Sequence, residues 1–127
     1  MTTPDELKDW LAAYGRAWET KDPEAAVALF TEDAAYQESP FDEPMVGHDA
    51  IRSYWSEVEP NQDDISFEAK ILSVGGERAF VHWKASYTNL KTGVPTRLDG
   101  MFLLFFDGEG LCRSLQEWWH ADPSPSF

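Results

Sequence analysis

The sequence predicts an α+β protein in which helices come first and an antiparallel sheet follows. Two observations carry this prediction. Apolar residues recur at helical spacing as far as Val58, and everything after Asp64 falls into strand-like runs separated by glycine-containing turns. Segregated helices and strands pack as α+β, with the helices on one face of the sheet. At 127 residues the chain is expected to form one domain, with its core at about 5–122 and a short Pro/Ser tail at 123–127.

The first helix is announced by Thr3 as N-cap, Pro4 at the first helical position and Glu6 closing a T-x-x-E capping box. Leu7, Trp10, Leu11, Tyr14 and Trp18 then run down one face. Asp22-Pro23 restarts the pattern as a second, shorter helix with Val27, Leu29 and Phe30 as its apolar residues. Ala34 to Ser39 reads as a strand ended by Pro40, and 41–47 as a loop. Ile51, Tyr54, Trp55 and Val58 make a third helix, which Pro60 stops.

Four strands complete the chain. Ile65 to Val74 and Arg78 to Asn89 flank Gly75-Gly76, while Thr96 to Phe106 and Leu111 to Ala121 flank Asp107-Gly108-Glu109-Gly110. In the second of these strands Val81, Trp83, Ala85 and Tyr87 alternate with Phe80, His82, Lys84 and Ser86, and the first set is the more apolar and is placed inward. The run from Met101 to Phe106 is apolar on both faces. A strand with one wet face alternates, so the second face needs a cover, and a second copy of the chain is the expected one.

Charge excludes several classes of partner. The net charge of −13 opposes nucleic acid and anionic membranes, both of which are bound through Lys and Arg. Residues 1–64 hold 16 of the 23 acids and 4 of the 10 bases, a net of −12, so the sheet half is nearly neutral and suited to meeting another protein. No signal-peptide pattern opens the sequence and no long apolar run spans a membrane, so a cytoplasmic location is expected. Cys112 stands alone, and His48, His82 and His120 have no metal-ligand spacing. With no phosphate loop and no Rossmann fingerprint, neither metal nor cofactor is expected.

The aromatic share of 14%, with six tryptophans, suits both a core and a ligand pocket. The element order, the segment Asp22-Pro23-Glu24 leading to Ala28 through Ala34, the opening Gly47-His48-Asp49-Ala50-Ile51-Arg52 and the late Asp107–Gly110 hairpin together resemble the nuclear-transport-factor-2-like superfamily. That superfamily includes ketosteroid isomerase, limonene epoxide hydrolase and the SnoaL-like polyketide cyclases. The resemblance spans about residues 5–122. It implies a cone-shaped, curved, mostly antiparallel sheet packed on three N-terminal helices around a pocket for a small apolar molecule. Trp18, Tyr36, Tyr54, Trp55, Trp83, Phe102 and Trp119 are then expected to line or wall that pocket.

Aligned on Leu29-Phe30, the isomerase pattern places its tyrosine donor on Tyr14 and its general base on Glu38. Aligned on Asp107-Gly108, its second oxyanion donor falls on Phe102, which carries no donor, and His82 rather than Trp83 would face inward. Strand alternation puts Leu115, Glu117 and Trp119 on one face, and the resemblance makes that face the pocket side. A carboxylate flanked by inward apolar residues needs a partner, such as Arg97, His82 or a tyrosine, or a chemical role. Glu38 and Glu117 are therefore the candidate bases and Tyr14 the candidate donor. The competing expectation is a dimeric binding module without chemistry, in which Glu38 is a solvated acid, Glu117 a structural partner and Trp18 core.

Overall fold

The computed structural model describes residues 2–123. The Pro/Ser tail lies outside them except for Pro123. Helix α1 (Pro4–Glu19) begins at the expected capping box: Glu6 N donates to Thr3 Oγ1 at 3.1 Å and Thr3 N to Glu6 Oε1 at 3.3 Å. Its buried stripe lies against strand β3 (Gln62–Gly75). Gly15 makes that approach possible, since a Cβ there would stand 2.8 Å from Phe67 Cδ1. Helix α2 (Pro23–Val27) is capped by Asp22, whose side chain accepts from Ala25 N at 3.1 Å.

Strand β1 (Phe30–Gln37) begins four residues earlier than the alternation predicts. Phe30 belongs to it rather than to α2, because Phe30 enters the core beside Cys112 of β6 (Cys112–Asp122). The polar stretch Thr31-Glu32-Asp33 lies in a break of register between Phe30 and Ala35, which hides the strand's start from any period-2 pattern. Within the predicted loop, Met45–Val46 forms a two-residue strand β2 against β1.

Helix α3 (His48–Trp55) also departs from expectation. It stops at Ser56, and Val58 and Pro60 belong to a separate turn of helix, α4 (Val58–Asn61). Proline is tolerated there because an amide in a helix's first turn has no intrahelical acceptor to lose.

Strands β3, β4 (Arg78–Asn89), β5 (Pro95–Phe106) and β6 form the antiparallel meander, and β1 adds to β6 in parallel, giving the order β2-β1-β6-β5-β4-β3. The inner face carries Val81, Trp83, Ala85, Phe102, Leu104 and Leu115, all buried with the stripe of α1. Trp83 faces inward and His82 outward, where His82 Nε2 stands 2.7 Å from Asp99 Oδ1. Trp83 pairs across the strands with Gly100, whose absent side chain leaves room for the indole. A Cβ on Gly100 would come within 2.6 Å of Trp83 Cζ2. On the outer face, His82, Met101 and Trp118 share one register level and Phe80, Leu103 and Gln116 the next. Phe80 and Trp118 are exposed there.

Candidate functional site

The interior of the cone is an aromatic stack. Tyr14 sits edge-on to Trp55 and Phe102 with centroids 5.3 Å away in each case, and Trp83 stacks on Phe102 at 5.3 Å. Offset and edge-to-face rings pack densely with few rotamers to freeze. The stack does not fill the cone. Between α1, α3, α4 and the ends of β1, β4, β5 and β6 it leaves a cavity of about 210 Å³.

Tyr14, Trp18, Tyr36, Tyr54, Trp55, Trp83 and Trp119 all line this cavity, together with Glu38 and Glu117. Phe102 does not: it is buried one layer behind the wall, between Trp83 and Tyr14. Sequence reasoning missed Gln62, Tyr87 and Leu98, which complete the rim with residues of α4. Tyr87 stood on the inward set of β4, which was its one signal, while Gln62 became visible only through Trp18, whose Nε1 donates to Gln62 Oε1 at 2.7 Å.

The parallel register carries both carboxyl groups to one cavity. Tyr36 pairs with Leu115 and Gln37 with Gln116 where β1 ends, and Glu38, the next residue, lines the cavity together with Glu117, near enough for its charge to raise that carboxyl. Their environments differ. Glu117 is only 6% exposed, and burial pushes its carboxyl well above the usual range, with the Glu38 charge raising it further and the Tyr36 hydroxyl offsetting part of the shift. Glu38 is half-exposed at the mouth, and partial burial, then the Asp42 charge, raises it less. Trp119 Nε1 donates to the Glu38 backbone carbonyl at 3.1 Å and so fixes that residue's backbone at the rim.

The proposed partners of Glu117 are placed elsewhere, apart from the tyrosine. Arg97 pairs with Asp122, and His82 with Asp99 on the outer face. Beneath the carboxyl, the hydroxyls of Tyr14 and Tyr36 hydrogen-bond at 2.8 Å, and burial holds both phenols protonated far above neutrality. Among the described residues, no group of three or more His, Cys, Asp or Glu could hold a metal ion, and no helix is long and apolar enough to cross a membrane. Wider grooves lie along α1 and β3 and across the polar end of the outer sheet face, each lined by charged side chains mixed with small and apolar ones.

A curved six-stranded sheet packed on N-terminal helices is the architecture of the nuclear-transport-factor-2-like superfamily. Within it, the family model for the SnoaL-like domain matches residues 11–114, and the chain belongs to that family. No curated protein matches the sequence significantly. Among solved structures, the chain is similar to the epoxide hydrolase/cyclase-like enzyme SalBIII, which acts in pyran ring formation in the polyether salinomycin. The identity is 25%, the TM-score 0.79, and 94% of each chain is covered. A putative scytalone dehydratase from Novosphingobium aromaticivorans has the same fold at 15% identity and a TM-score of 0.83, over 97% of this chain and 88% of that one. A ketosteroid isomerase-like protein from Erwinia carotovora atroseptica does so at 24% identity and a TM-score of 0.69, over 89% and 92%.

Proposed function

We propose that the protein is a proton-transfer enzyme acting on a small, largely apolar molecule held in the aromatic cavity, as a cyclase or isomerase. The observation that carries this reading is the unequal pair of carboxyl groups in one pocket. Two titratable groups whose environments push their affinities for protons apart define an acid and a base. Glu117, buried and raised the more, holds its proton the more tightly of the two and is the general acid. Glu38, nearer water, is the carboxylate and general base. Tyr14 acts through Tyr36, whose hydroxyl offsets part of the upward shift of Glu117 and so keeps that carboxyl a better proton donor.

The likeness to a cyclase that takes part in pyran ring formation supports a ring closure. For an epoxy alcohol the step balances without a co-reactant. The substrate hydroxyl oxygen attacks an epoxide carbon while Glu38 takes the hydroxyl proton. The epoxide C–O bond breaks as Glu117 gives its proton to the departing oxygen. Proton exchange through the mouth then resets the pair. The test is conversion of a small epoxy alcohol to its cyclic ether, followed by gas chromatography. Activity lost in both Glu38→Gln and Glu117→Gln supports the reading, and activity kept in either removes that residue's role. A second reading, a dimeric binding module without chemistry, draws on the apolar outer sheet face. Native mass spectrometry that found a co-purifying molecule bound unchanged to a dimer would favour it.

A further inference from the structure

Among the described residues, the buried side-chain polar atoms without a hydrogen-bond partner are Trp55 Nε1, Trp83 Nε1 and Glu117 Oε2. All three belong to residues that line the same cavity. Trp55 is 3% exposed and Trp83 2%. The other tryptophans of the interior are satisfied within the protein: Trp10 by the Leu29 carbonyl at 3.0 Å, Trp18 by Gln62 and Trp119 by Glu38. An unpaired buried donor costs roughly 1–3 kcal/mol, so folded chains keep few of them, and their gathering on residues that line one small cavity requires an account.

We propose that the indole N–H groups of Trp55 and Trp83 are the recognition donors of the pocket, and that its ligand is an uncharged molecule offering them oxygen acceptors, as a cyclic ether or carbonyl compound does. An indole nitrogen donates and cannot accept, so these two positions select acceptors and reject ammonium groups, which only donate. A hydrocarbon of the same shape would cover both donors and leave them unpaired. A site built to hydrogen-bond its ligand discriminates strongly against an analogue that lacks the matching atom. Size narrows the class further. A cavity of about 210 Å³ falls below the ~300–1,000 Å³ of pockets for drug-sized ligands, so the enclosed part of the molecule is one or two fused rings. The inference rests on the cavity being the ligand site, as proposed above, but not on the protein's being a catalyst.

The test uses the unmodified protein and three bicyclic probes of similar shape, carrying two, one and no oxygen acceptors: chroman-4-one, 1-tetralone and tetralin. Nitrogen-15 spectra resolve indole N–H signals, with Trp55→Phe and Trp83→Phe assigning the two of interest. We expect affinity to fall in that order, by roughly tenfold per donor satisfied. Chroman-4-one should move the Trp55 and Trp83 signals downfield, and each Phe variant should weaken its binding while leaving tetralin unaffected. Equal binding of chroman-4-one and tetralin, or no shift of either indole signal on saturation, overturns the donor inference while leaving a pocket in place. If no probe binds at millimolar concentration, the pocket reading falls and takes the inference with it. Ligand discrimination in a protein without turnover would remove the proposed chemistry alone.

Discussion

The hydroxyl oxygens of Tyr14 on α1 and Tyr36 on β1 lie 2.8 Å from each other in the buried floor of the cone, within electrostatic reach of Glu117. Twenty-two residues separate them in the chain. Tyr36→Phe should therefore do two things. It leaves the Tyr14 hydroxyl unpartnered, at a cost of about 1–3 kcal/mol. It also removes the group that lowers the Glu117 carboxyl, so the midpoint of that carboxyl rises further. Urea unfolding checks the first effect and carbon-13 NMR titration the second. Adding Tyr14→Phe should recover part of the stability, with a coupling on the order of 1 kcal/mol.

Glu117→Gln should change how stability depends on pH. A carboxyl raised in the folded state binds its proton more tightly there than in the unfolded chain. Wild-type stability is then fully present below the unfolded value of ~4.3 and is lost as pH rises towards the folded midpoint. The slope in that window approaches about 1.4 kcal/mol per pH unit for one group. The glutamine does not titrate, so the variant should gain on wild type steadily above pH ~4.3. Glu38→Gln should show the same sign over a narrower window, since its shift is smaller. Unfolding at several pH values checks both, and parallel curves for wild type and Glu117→Gln would contradict a raised carboxyl.

Gly100→Ala should be far more costly than an exposed strand substitution. Its Cβ would stand 2.6 Å from Trp83 Cζ2 and 2.8 Å from the Trp118 backbone oxygen, so the indole or a strand must move. Overpacking of this kind costs roughly 1–3 kcal/mol. Thermal unfolding measures the loss, and a displaced Trp83 indole signal in nitrogen-15 spectra would show that the cavity wall has shifted.

We predict a homodimer through the outer sheet face, motivated by the exposed rings of Phe80 and Trp118 beside the half-buried Met101, Leu103 and Phe105. Stable interfaces of this kind bury ~1,200 Å² or more in total. Sedimentation should report a dimer at tens of micromolar, on the order of a weak contact's Kd. Trp118→Lys should give a monomer with its fold intact, whereas a monomeric wild type would rule out this face as a self-interface.

The sequence by itself determined that helices come first and a four-strand meander last, and it marked the capped first helix, because capping and spacing act over a few neighbouring residues. It also brought Glu38, Glu117 and Tyr14 forward as the groups to watch, largely through the family resemblance. Only the tertiary structure decided how these groups divide their roles. Glu117 and Glu38 reach one cavity because β1 joins β6 in parallel, a pairing made across some eighty residues that no local period encodes. Trp83 rather than His82 faces the cavity because Gly100, on a neighbouring strand, leaves room for the indole. The burial that separates the two carboxyl groups, and the unpaired donors of Trp55 and Trp83, arise when α1, α3 and the sheet close over one another. Desolvation is a property of the packed interior, and it exists only once the chain has folded.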